Sequence, residues 1–178
     1  MNRQHIPHGT AQARALCTGR TLYLIDIENM AGCSSLATAE VATIQARMRA
    51  MGMLATGDPV AVASSHHNAL AAHFGWTGSA QRLVRSGPSG ADQELLSVIA
   101  DVRWISARYS RVVLASGDGI FANAIAELKR AGCRVTVVPP DQGLSKRLRL
   151  AAGQDVTPMP ATAPSNVISL FPIHKDVM

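Results

Sequence analysis

The chain has 178 residues and a mass of 18.8 kDa, which is the size of one domain. Hydrophobic residues make up 47% and charged residues 16%, so a wholly disordered chain is excluded. The absence of both a long apolar span and an N-terminal apolar signal run leads us to expect a soluble cytoplasmic protein. Seventeen basic residues against twelve acidic ones give a net charge of +5; most of the basic ones are Arg, which grips phosphate bidentately, so an anionic partner fits, as does a plain preference for Arg.

Residues 1–20 read as a flexible N-terminal segment. Thr21 to Ile25 (TLYLI) is an apolar run of strand formers ending at Asp26 and followed by a polar, Gly-containing loop. Thr38 can cap a helix reaching about Met51, with Val41, Ile44, Met48 and Met51 along one side and Gly52 past its end. Val60–Ala63 is a second strand, Asn68–Phe74 a short helix, and Gln81–Val84 a third strand before the loop RSGPSGA. One helix is expected over Asp92–Ser106, its inner stripe formed by Leu95, Leu96, Ile99, Val102 and Ile105. Arg111–Ala115 is the fourth strand, Ile120–Ala131 a helix stopped by Gly132, Arg134–Val138 the fifth strand, and Ser145–Ala152 a last helix. From 153 onward the Pro- and Thr-rich TPMPATAPS reads as a linker and tail carrying one apolar patch, NVISLF. The cysteines, Cys17, Cys33 and Cys133, are odd in number and lack C-x-x-C spacing, which suggests reduced thiols.

Alternating strands and helices at this spacing predict a single α/β domain over 21–152. Its core is a doubly wound, five-stranded parallel sheet of order 3-2-1-4-5 with helices on both faces. Ligands of such sheets bind beyond the carboxyl ends of the strands, where the strand order reverses. Asp26 ends the first strand and Asp118 follows the fourth, so the two converge if those strands are neighbours. Asp92, on the inward face of its helix, is the third carboxylate, and Asn29 adds an amide one turn after Asp26. Each such pair at 4 Å repels by about 4 kcal/mol at an effective dielectric near 20, so the cluster needs a proton or a hard cation such as Mg²⁺ or Mn²⁺. Each also has a structural reading: Asp92 and Asp118 as helix caps, Asp26 as the acceptor of a loop hydrogen bond.

At these residues the chain resembles the NYN domain, a branch of the PIN-like nuclease superfamily. LYLIDIENM matches its strand and D-x-x-N, GADQELL its G-x-D-x-x-L helix start, and VVLASGDGIFANAIAELKRAGCRVTVV its S-G-D-x-x-F segment with the next strand. The resemblance implies a metal-dependent ribonuclease with Asp26, Asp92 and Asp118 holding Mg²⁺ or Mn²⁺, Asn29 in support, and Ser116 as the hydroxyl beside them. In two places the chain departs from the pattern: Ile120 and Val98 stand where many members carry further acids, which leaves one-metal catalysis or a binding-only domain open.

An RNA partner is further suggested by basic residues expected around the same edge, namely His66 and His67, Arg85, and Lys146, Arg147 and Arg149. Taken singly, each has a structural reading as well, a lone His or a solvated helix face. Two other functions compete: an RNA- or protein-binding module on the same fold, and a dinucleotide site. The latter rests on Gly117-Asp118-Gly119-Ile120-Phe121-Ala122, which fits G-x-G-x-x-A, with Asp141 about 20 residues on. Single-stranded or structured RNA, DNA as a second substrate, and the oligomeric state, a homodimer included, stay open.

Overall fold

The computed structural model describes residues 19–160. Cys17, nearly all of the expected N-terminal segment, and the NVISLF patch lie outside the described residues. Five strands, β1 (Thr21–Asp26), β2 (Val60–Ser64), β3 (Gln81–Val84), β4 (Arg111–Ala115) and β5 (Arg134–Val137), form one sheet. Its order is β3-β2-β1-β4-β5 with every pairing parallel, so the expected doubly wound α/β topology is the observed one. Alternation along β1 shows why both faces are covered. Leu22 and Leu24 enter one core with Leu95, Ile105, Phe121 and Leu128, whereas Tyr23 and Ile25 enter the other with Val41, Ile44 and Met48.

Three helices cover the second of these faces: α1 (Ile27–Ala31), α2 (Thr38–Ala50) and α3 (Ala69–Gly75). The first is covered by α4 (Gly90–Val98), α5 (Val102–Arg108), α6 (Ala122–Arg130) and α7 (Lys146–Ala152). Single 3₁₀ turns at His66–Asn68 and Gly119–Phe121 lead into α3 and α6.

Four local expectations are corrected. The polar stretch after Asp26 opens with the one-turn helix α1, capped by Asp26 itself and closed by Gly32 in the left-handed conformation. The helix begins at Thr38, but its N-cap is Ala37, whose backbone N–H is satisfied by the Glu40 carboxylate from inside the first turn at 2.7 Å. The long helix expected over 92–106 is two helices. Tightened turns bond Ile99 N to Leu96 O and Ala100 N to Ser97 O, and Asp101 then caps α5 by accepting from Trp104 N at 2.9 Å. The apolar stripe was legible, with Leu95, Ile99 and Ile105 all buried, but a stripe does not report a change of axis. Finally, packing runs past Ala152. Val137 N donates to Asp155 O, Thr157 N donates to Val137 O, and Met159 sits in the core at 1% exposure. Residues 155–159 thereby cover the outer edge of β5, where a linker was expected from 153; an exposed strand edge is a row of unpaired donors and acceptors that proteins tend to cover.

Candidate acidic site

The strand order reverses between β1 and β4, and the two segments leaving their carboxyl ends are tied together there. Asp26 Oδ1 accepts from Asn29 N at 3.2 Å as the cap of α1, and Asp26 Oδ2 accepts from the fully buried Ser116 Oγ at 3.2 Å. Ser116 Oγ in turn accepts from Asp118 N at 3.2 Å. Asn29 Oδ1 accepts from Gly117 N at 2.8 Å, so the amide expected beside the carboxylates spends its carbonyl on locking the β4 turn to α1. Asp118 caps the 3₁₀ turn after it, accepting from Ile120 N at 2.9 Å through Oδ1.

Two close approaches require glycine. A side chain at Gly90 would place its Cβ 2.4 Å from Arg85 O, so Gly90 lets α4 start tight against the end of β3. Asp92, two residues on, is thereby brought over the end of β1. A Cβ at Gly117 would lie 2.1 Å from Gly143 O, and Ser145 N donates to Gly117 O. The space beside the glycine turn, where a pyrophosphate would have to lie, is filled by the chain's own 143–145 backbone. That packing is incompatible with a dinucleotide at this turn.

Asp26, Asp92, Asp118, Glu28, Asn29 and Arg85 line one cleft of ≈ 220 Å³. Asp26 and Asp92 are 4% and 8% exposed. Burial, the Asp92 charge and a hydrogen bond with Asp92 push Asp26 up to about 8. Asp92 is likewise raised, by burial and by the charge of Asp118. Such a pair holds one proton between its carboxyls and titrates as a unit. No group of three His, Cys, Asp or Glu side chains among the described residues is already arranged as a metal cage.

Glu28 was not singled out by sequence reasoning. Its Oε1 accepts from Ser65 N, Ser65 Oγ and Asn68 Nδ2 at 2.9, 2.5 and 2.6 Å. Burial pushes this carboxyl up, but the hydrogen bonds from Ser65 and Asn68 outweigh it and hold Glu28 below its usual value. Glu28 therefore sits in the cleft as an anion tied to the end of β2. The signal lay in the sequence: once Asp26 is recognised as a cap, Glu28 falls in the first turn of α1.

The basic residues divide. Arg85 lines the cleft, with its guanidinium 3.5 Å from Glu94. His66, exposed and bonded to Ser86 Oγ at 2.7 Å, and His67, also exposed, flank the cleft without lining it. Lys146, Arg147 and Arg149 are exposed on α7 and outside the lining; Arg147 donates to Asn123 Oδ1 at 3.0 Å beside the Gly119 turn. The two positions that depart from the family pattern are occupied structurally. Ile120 packs on the core, and Val98 packs on the same core at the far end of α4, bordering a different cleft.

A doubly wound parallel sheet with carboxylates gathered at its switch point is the architecture of the PIN-like nuclease superfamily. Within that superfamily the chain belongs to the NYN family, whose domain model matches residues 20–159. No curated protein matches the chain. A solved structure of a protein of unknown function from Vibrio parahaemolyticus RIMD 2210633 is similar with a TM-score of 0.49 and 17% identity, over 79% of this chain and 93% of that one. No helix among the described residues is long and apolar enough to cross a membrane.

Proposed function

We propose that this protein is a metal-dependent ribonuclease, hydrolysing RNA phosphodiester bonds at the acidic cleft. The observation that carries the reading is the buried Asp26–Asp92 pair, held at the switch point of the sheet and lining a cleft with Asp118. The donors are all oxygens, and two of the carboxyls are raised by mutual proximity and burial, so a hard divalent ion can take the place of the shared proton. Asp26, Asp92 and Asp118 would hold it, and when bound Mg²⁺ or Mn²⁺ would supply charge neutralisation at the phosphate and an activated water. Ser116 keeps one oxygen of Asp26 in place from below, and Asn29 fixes the turn that carries Asp118. Arg85, at the cleft, can exchange its partly exposed pairing with Glu94 for a substrate phosphate, since exposed ion pairs contribute only about 0.2–1 kcal/mol.

Asp26→Asn or Asp118→Asn is expected to reduce Mn²⁺-dependent cleavage of single-stranded RNA at least 100-fold without lowering the melting temperature. A variant that cleaves like the parent would refute the assignment. The second reading, a binding module, is favoured by the lack of three ready-arranged ligands among the described residues. It prevails if RNA is bound and stays intact with either metal.

A further inference from the structure

A second cleft, ≈ 960 Å³, lies at the opposite edge of the sheet, under the amino ends of the strands, and shares no lining residue with the acidic site. It crosses the sheet edge from one helical layer to the other, with Arg49 of α2 at one side and Trp104 of α5 at the other. Its volume is at the top of the range of about 300–1,000 Å³ usual for small-molecule pockets, and its course across both layers suits an elongated ligand.

Among its mixed lining, Arg20 and Arg49 supply the positive charge and Trp104 an exposed ring. Trp104 is 45% exposed, with Arg108 stacked on its ring at 4.1 Å and the Tyr109 ring centroid 6.2 Å away. Arg20 lies over the Tyr109 ring at 5.3 Å, and its backbone carbonyl accepts from Ser110 N and Arg111 N, so the chain is anchored at that point. The ion pairs among the described residues are Arg85–Glu94 and Lys129–Asp155, so Arg20, Arg49, Arg103 and Arg108 have no carboxylate partner there. The single acid in the lining, Asp58, accepts from Thr21 N at 3.3 Å.

We infer that this cleft is a groove for single-stranded nucleic acid, in which a base stacks on Trp104 while Arg20 and Arg49 contact phosphates. An acidic protein surface would satisfy the arginines and leave the half-exposed indole against carboxylates, whereas a nucleotide chain supplies an anion and a π face together. The groove does not depend on cleavage at the acidic site, so it stands or falls separately from the nuclease reading.

The test is fluorescence anisotropy of a labelled oligouridylate of about 12 nucleotides, with EDTA present so that cleavage does not enter. Intrinsic tryptophan emission is followed in parallel, since Trp76 is only 2% exposed and Trp104 is the exposed indole. We expect binding that quenches emission, that Trp104→Ala weakens at least tenfold, and that the double change Arg20→Ala, Arg49→Ala weakens while flattening the slope of log affinity against log salt by about 1.4. Trp104→Phe should keep most of the affinity and lose the quench. The inference is overturned if no binding occurs, if these variants bind like the parent with unchanged circular dichroism, or if Arg85→Ala abolishes binding while they do not. It is equally overturned if uridine monophosphate quenches with the affinity of the oligomer, because the cleft is then a mononucleotide pocket.

Discussion

Asp26 does two jobs that pull against each other. As the cap of α1 and the acceptor from Ser116 it is stabilised as an anion, yet burial and Asp92 together hold its proton up to about 8. The folded protein therefore keeps a proton that the unfolded chain has released, across the window between the unperturbed value of 3.8 and about 8. Fewer protons are bound in the unfolded state there, so stability should fall as pH rises through that window and level off above it. Chemical denaturation in EDTA at several pH values measures this slope, and Asp92→Asn should flatten it; an unchanged slope would mean that the pair is not its source. Because a divalent ion competes with the same proton, Mn²⁺ is expected to raise the melting temperature more at pH 8 than at pH 5. Equal shifts at both pH values would argue against binding at this pair. The three aspartates were legible as residues because strand ends and a helix face point them to one edge. The bridging by Ser116 and Asn29 was legible only as proximity, since which oxygen accepts from which donor depends on turn geometry.

Among the elements, helix boundaries are where sequence and structure part. Asp101 falls inside the single helix expected over 92–106, but it starts α5 and turns the chain by accepting from Trp104 N. Asp101→Ala should cost about 1 kcal/mol, read as a lower urea midpoint, while Glu94→Ala on α4 should change stability by less than half of that. Equal effects would show that the cap does not matter. β3 and β4 matched their expected spans because a strand between turn-forming residues has both ends marked locally. α1 went unseen since one turn has no period to detect, and its signals are only a capping carboxylate and Gly32 at φ +67°.

At the scale of the molecule, the domain is sealed on one side by a segment whose composition reads as linker. Lys129 Nζ pairs with Asp155 Oδ2 at 2.8 Å and donates to Ala152 O at 2.6 Å, which holds the chain as it turns back toward β5. A chain ending at Ala152 should be less stable than one ending at Pro160 by about 2 kcal/mol or more, since it loses the buried Met159 and the pairing on Val137. Matched denaturation curves of the two chains decide it, and equal midpoints would make the segment dispensable.

By itself, the sequence determined the layer architecture and put Asp26 and Asp118 at the carboxyl ends of strands and Asp92 on the inward face of a helix, because hydrophobic period and strand termini are properties of neighbouring residues; that β1 and β4 lie side by side was an expectation of the doubly wound class, which the sheet order bears out. The tertiary structure alone decided that Glu28 belongs to the cleft, that Gly117 is packed by the chain's own backbone, and that arginine and indole line the opposite edge. Those facts depend on distances between residues far apart in the chain, such as Gly117 and Gly143 or Arg20 and Tyr109, which no local pattern encodes.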